Sequence, residues 1–180
     1  MKKILLLLFS LLIFLMVANP IFAADKISPF TYEEIVKDNN LPYPGILPDN
    51  RFYFLKMVRD KIIGIIISDP LKKIEFDILT ANKRLSSGIY LLISGEEKYK
   101  LAVSTISKGE NYFADAISKT QQAKEQGIGV SETQEKLSSS LKAHKEILDR
   151  LETKFSGSTK SGIQQEEKKV ELFQKTVGSK

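Results

Sequence analysis

Along most of the chain, apolar residues recur at three- and four-residue steps, and short clusters of Pro, Gly, Ser and Asp interrupt them, a pattern of helices rather than strands. The first such stretch runs from Phe52 to Ile67, with Asp49 or Asn50 placed to cap it. Ser68-Asp69-Pro70 stops it and starts another, with Asp69 or Ser68 as cap and Pro at the first helical position, where its missing N–H costs nothing. Leu71, Ile74, Ile78, Ala81, Leu85 and Leu92 carry the period of that second helix across a gap near Gly88 that Ile89 can fill, up to Ser94-Gly95. Glu96 and Glu97 load the next start with the negative charge that a helix dipole favours. Tyr99, Ala102, Ile106, Gly109, Phe113, Ala116, Thr120 and Ala123 then form a heptad seam of small residues, suited to close packing on a bulky partner such as the first helix. After Gly127 and Gly129, Ser131 with Gln134 reads as a capping box, and Leu137, Leu141, His144, Leu148, Leu151 and Phe155 continue the period in a fourth helix.

The expected fold is therefore all-α, an antiparallel bundle of about four long helices over 50–155 with short connections. Before it, residues 24–49 read as a proline-rich extended strap, since Pro29, Pro42, Pro44, Gly45 and Pro48 leave room only for a short helical turn over Tyr32–Lys37. After it, Ser156-Gly157-Ser158 opens residues 156–180, where Ile163, Val170, Phe173 and Val177 support a weak last helix or a frayed, flexible tail. The first helix is apolar most of the way round, so its expected place is the centre of the bundle. The alternative is a helix lying in a membrane interface, with Phe52, Phe54, Ile63 and Ile66 toward lipid and Lys56, Arg59 and Lys61 at the headgroups.

Composition adds an address. Met1-Lys2-Lys3, the apolar run Ile4–Ala18 and the small residues around Ala23 follow the order of a secretory leader over 1–23, cleaved after Ala23 or Ala24. The apolar run of about 15 residues is short of the ~20 of a membrane span, although extension through Ala24 approaches it and leaves an uncleaved anchor as the alternative. Loss of Lys2 and Lys3 would take the formal charge from +5 to +3, no footprint for nucleic acid. The expected location is exported: periplasmic, cell-surface or secreted.

Candidate chemistry is sparse. With no Cys there is no disulfide framework, thiolate metal site, cysteine nucleophile or lipoprotein attachment point. The one histidine, His144, sits on a seam position, and Leu141 stands where a bundle di-metal motif needs Glu, so a structural role is expected over metal ligation. Carboxylate clusters such as Glu33-Glu34, Glu75 with Asp77, Glu96-Glu97 and Glu166-Glu167 read as solvated helix surface. Nucleophile-elbow, phosphate-loop and zinc-protease motifs are missing. No catalytic residue, cofactor or metal is expected, and the partner is an unidentified protein or a membrane surface.

Pro44-Gly45-Ile46-Leu47-Pro48-Asp49, then Phe52-Tyr53-Phe54-Leu55-Lys56, then Asp69-Pro70-Leu71-Lys72-Lys73-Ile74-Glu75 resemble a family of exported bacterial proteins described as a domain of unknown function. The resemblance covers about residues 41–115; Asn50-Arg51 stands where that pattern often has Ser-Pro. It implies a signal segment followed by charged helices and supplies no mechanism. Pro44, Gly45, Leu47, Pro48, Asp49, Tyr53, Leu55, Lys56, Asp69, Pro70, Lys72, Lys73 and Glu75 then read as scaffolding: prolines fixing the strap, Asp49 and Asp69 capping, and Lys72, Lys73 and Glu75 pairing along helix surfaces.

Overall fold

A computed structural model describes residues 30–178; the expected leader over 1–23 lies outside the described residues. Among the described residues the regular structure is helical, with no strand: α1 (Tyr32–Val36), α2 (Tyr53–Ile66), α3 (Pro70–Ser94), a 3₁₀ turn (Glu96–Lys98), α4 (Tyr99–Glu125), α5 (Ser131–Glu152) and α6 (Gly157–Gly178). The Asp69 carboxylate accepts from the amides of Leu71 at 2.8 Å and Lys72 at 3.1 Å, with Pro70 at the first position of α3. Of the other two expected caps, Asn50 bonds one residue short of the helix, at the cap residue Phe52, and the capping box does not form. Asp49 pairs with Lys98 at 2.7 Å, leaving Asn50 to accept from the Phe52 amide at 2.8 Å. Val130 is the cap residue of α5, and Gln134 reaches away to the Val177 carbonyl at 3.4 Å instead of closing a capping box with Ser131.

The seam of α4 is buried as its spacing predicts, from Ala102 through Ile106, Gly109, Phe113 and Ala116 to Ala123, but its partner is α3 and not the first helix. The two helices run in opposite directions. Gly88 faces Ile106 and the Ala102 carbonyl, while Gly109 faces Arg84 and the Ala81 carbonyl. A Cβ on Gly109 would sit 2.9 Å from Arg84 Cβ, and one on Gly88 would overlap the Ile106 side chain. Ser86-Ser87-Gly88, which leave a gap in the apolar period, are thus the fully buried middle of α3, where small side chains let two backbones approach.

α5 buries Leu137, Leu141, His144, Ile147, Leu148 and Leu151. α6 returns along it, with Gln164 Nε2 on Glu152 at 2.8 Å and Lys145 on Glu167 at 3.0 Å, and presses Gly162 against Val103 of α4. The segment expected to fray or form a weak helix is a 22-residue helix, held by buried Ile163 and Val170 with Phe173 and Val177 partly buried beside them. The lead lies across this body: Phe30 packs edge-on to Phe155 at 5.5 Å, Tyr32 stacks on Tyr90 at 4.6 Å, and Arg150 donates to the carbonyls of Ile35 at 3.0 Å and Val36 at 3.2 Å.

Candidate interaction surface

The largest departure from the sequence expectation is α2. A helix at the centre of a bundle would bury its isoleucines; here Phe54, Leu55, Met57, Val58 and Ile62 are about half exposed, and Ile65 and Ile66 are 72% and 70% exposed. The reason is which residues share the inward side. Tyr53, Lys56, Asp60, Gly64 and Ile67 recur at the helical step and are the residues of this stretch that are buried or half-buried. That side is mostly polar and finds polar partners. The Lys56 ammonium donates to the Pro44 carbonyl at 2.6 Å and the Ile46 carbonyl at 3.4 Å, and stands 5.6 Å from the centre of the Tyr53 ring. The Tyr53 hydroxyl accepts from Arg84 of α3. Burial pulls the Lys56 pKa down and pushes the Tyr53 phenol up, as expected when a polar group leaves water.

α2 is bonded to the body through Tyr53 and Arg84 and to the strap through Lys56, and Gly64 faces Phe76, whose ring a Cβ added there would meet at 3.6 Å. Open grooves flank Phe76. One of about 370 Å³ is lined by Met57, Asp60, Asp77 and Lys119; the other, of about 330 Å³, is lined by Arg59, Ile63, Thr80 and Lys83. Two ion pairs stand in them, Asp77 with Lys119 and Asp60 with Arg59 at 2.7 Å, beside the further charges of Lys61, Lys73, Lys83 and Asp115. On the strap, Tyr43 is 76% exposed and Ile46 41% exposed.

The residues singled out in sequence fall into two groups. Pro44, Gly45, Leu47, Pro48, Tyr53 and Lys56 meet at the strap–α2 junction, where Pro44 is buried and Gly45 takes φ +71°, a left-handed turn that favours glycine. Leu55, although inside the same motif, points outward with Phe52, Phe54 and Ile66, while Ile63, 37% exposed, lies beyond Arg59 at the margin of the outward sector. Asp69, Pro70, Lys72, Lys73 and Glu75 belong to the first turns of α3, away from that junction; Glu75 bonds Lys136 of α5 at 2.6 Å. Ile46 stands inside the signature without a role of its own, and Tyr43 and Arg84 lie outside the residues that the sequence marks; the apolar ring of Tyr43 between Pro42 and Pro44 is a usable signal, and nothing local marks Arg84.

A second polar cluster lies inside the body. His144 Nδ1 is 2.9 Å from Glu110 Oε1, its Nε2 is 3.0 Å from Asn82 Oδ1, and its ring packs edge-on to Phe113 at 4.6 Å. Glu110 and His144 are fully buried, and Glu110 Oε2 has no hydrogen-bond partner. Both ring nitrogens are thus taken by protein groups. Two carboxylates expected on solvated surface are also buried: Asp77 and Glu166, each with its pKa raised by burial. Glu166 lines a broad depression of about 800 Å³ between α4 and α6 with Ser104, Ser107, Lys108 and Thr159. Among the described residues, no group of three or more His, Cys, Asp or Glu is placed to hold a metal ion.

A family model described as "Domain of unknown function (DUF5667)" matches residues 45–171. The chain belongs to that family. The DUF5667 match begins in the strap, one residue past Pro44, and runs through α2, α3, α4 and α5 to Glu171 in α6, so the outward-turned helix and the His144 cluster both lie within it. No curated protein and no solved structure matches the chain.

Proposed function

We propose that this DUF5667 protein is an exported, non-catalytic interaction module of the cell envelope or the space outside it. In this reading an antiparallel bundle of α3–α6 is the scaffold and α2 is the working surface. The observation that carries the reading is the inside-out arrangement of α2: Tyr53, Lys56 and Asp60 face the protein while Leu55, Val58, Ile62, Ile65 and Ile66 face away. Contiguous exposed apolar surface on a folded domain is the mark of a binding site rather than of a stability element. The export half rests on the leader-like order of Met1 to Ala23. The non-catalytic half rests on the use of the ionisable groups within the body: Asp77 is paired with Lys119 and His144 is held between Glu110 and Asn82.

Thermal melting of Ile62→Ser with Ile65→Ser and Ile66→Ser tests the working-surface reading. Side chains that serve a partner can be removed with a change in stability under about 1 kcal/mol, whereas three core isoleucines would cost several times that. A melting point lowered by more than about 10 °C would return α2 to the core and end the proposal.

A further inference from the structure

We infer that the surface met by α2 is a lipid bilayer with anionic headgroups, on which the helix lies flat; this rests on the reading of α2 as the working surface. In helical projection the outward sector runs through Phe54, Ile65, Val58, Ile62, Leu55 and Ile66, all exposed. Lys61 borders it beside Phe54, and Arg59 borders it beside Ile66. Apolar residues edged by Lys61 on one side and by the Arg59–Asp60 ion pair on the other fit a bilayer interface, where a long basic stem reaches from the acyl boundary to the phosphates. Carboxylates are missing from this side: the one acidic residue of α2 is Asp60, which is turned inward and held by Arg59.

That charge pattern selects between occupants. Two copies meeting through α2 would bring Lys61 against apolar surface and its own counterpart with no acid left to pair it, since Asp60 is held by Arg59, whereas an anionic bilayer supplies both the apolar layer and the counter-charge. Length agrees with a helix lying on the surface. Tyr53–Ile66 is 14 residues, against about 20 for a span, and no helix among the described residues is long and apolar enough to cross a membrane. The inward attachments through Lys56 and Tyr53 are polar and face the protein, so they persist when the outward side enters lipid.

The absence of cysteine allows a local test in the full chain. Ile65→Cys carrying an environment-sensitive fluorophore is mixed with phosphatidylcholine vesicles with or without phosphatidylglycerol and an acyl-chain quencher, and Leu172→Cys on α6 serves as the control. Attachment through residues 1–23 would bring both labelled positions near the bilayer, so the position-172 control reports it. The expected result is a blue shift and quenching at position 65 on anionic vesicles, none at position 172, and about a tenfold loss of the position-65 signal when Arg59→Glu and Lys61→Glu are added. Circular dichroism checks that these variants remain helical. A position-65 label that stays in water, or that enters vesicles equally well without anionic lipid, overturns the inference. Shielding that appears without vesicles and grows with protein concentration makes a second copy the occupant, overturning the lipid inference while sparing the working-surface reading. Shielding in the vesicle-free monomer overturns both.

Discussion

Helices α2 and α6 invert what their compositions predict. α2 holds the densest run of large apolar residues among the described residues and leaves most of them in water; α6 is polar along much of its length and is built into the body. The difference lies in arrangement. In α6, Ile163, Glu166, Val170, Phe173 and Val177 follow three- and four-residue steps and make one narrow stripe that fits against α4 and α5. In α2, the inward positions belong to Tyr53, Lys56, Asp60 and Gly64, and turning the isoleucines inward would break the Lys56 bonds to the Pro44 and Ile46 carbonyls and the Tyr53 bond to Arg84. A correctly spaced stripe of a few apolar residues places a helix more firmly than a larger number spread around it.

The comparison can be broken most sharply at Val170, fully buried in α6. Val170→Asp places a charge in the packed interior and should cost about 3 to 5 kcal/mol, read as a collapse of the urea midpoint; a loss under about 1 kcal/mol would mean that α6 is not part of the core. Lys56→Ala tests the polar footing of α2. Removing the donor shared by the Pro44 and Ile46 carbonyls should cost about 1.5 to 3 kcal/mol and open the strap near Tyr43 to limited proteolysis. Unchanged cleavage would show that the strap is held by something else.

A smaller effect of opposite sign is expected at Glu166. Burial holds its folded pKa above the ordinary carboxylate value, so the native state binds its proton more tightly than the unfolded chain. Stability from this group is therefore present at low pH and is lost as pH rises from the ordinary carboxylate range through the raised value. Glu166→Gln should flatten that slope and stabilise the protein by about 1 kcal/mol at pH 7, measured by denaturant melts across pH; an unchanged slope would assign it to Asp77 or another group. The smallest effect belongs to Ile65→Asp. At 72% exposure it should shift stability by no more than about 0.5 kcal/mol, and a larger loss would erase the contrast with Val170.

Much of this architecture is legible in the periodicity. The seams of α4 and α5, the Asp69-Pro70 start and the breaks at Ser94-Gly95 and Gly127 follow from residue spacing and local stereochemistry. The partner of each seam does not follow, because a stripe of small residues says that something comes close without saying what; Gly109 fits α3 through Arg84 and Ala81, which nothing near Gly109 in the chain announces. The same limit hid the buried acids. Glu110 stands beside Gly109 in the seam and could have been flagged by that position, but its partner His144 lies a helix away and becomes visible only when α4 and α5 are packed. For the candidate surface, the apolar character of Phe52, Phe54, Ile63 and Ile66 is readable from residue type, whereas their exposure depends on a polar inner side set by the Pro44 and Ile46 carbonyls lying within reach of Lys56.

The close approach at Gly88 and Gly109 has a mechanical consequence. Ile106 seated over Gly88 and Arg84 over Gly109 act as two keys in opposite keyways, one on each helix. Sliding α3 along α4 by one turn, about 5.4 Å, would lift both bulky side chains out of their recesses and onto larger neighbours. A load applied at α2 therefore cannot be absorbed by slippage between these helices; it must be taken up at the Ser68-Asp69 corner and in the strap, which makes α3 and α4 the fixed frame against which the rest of the chain can yield.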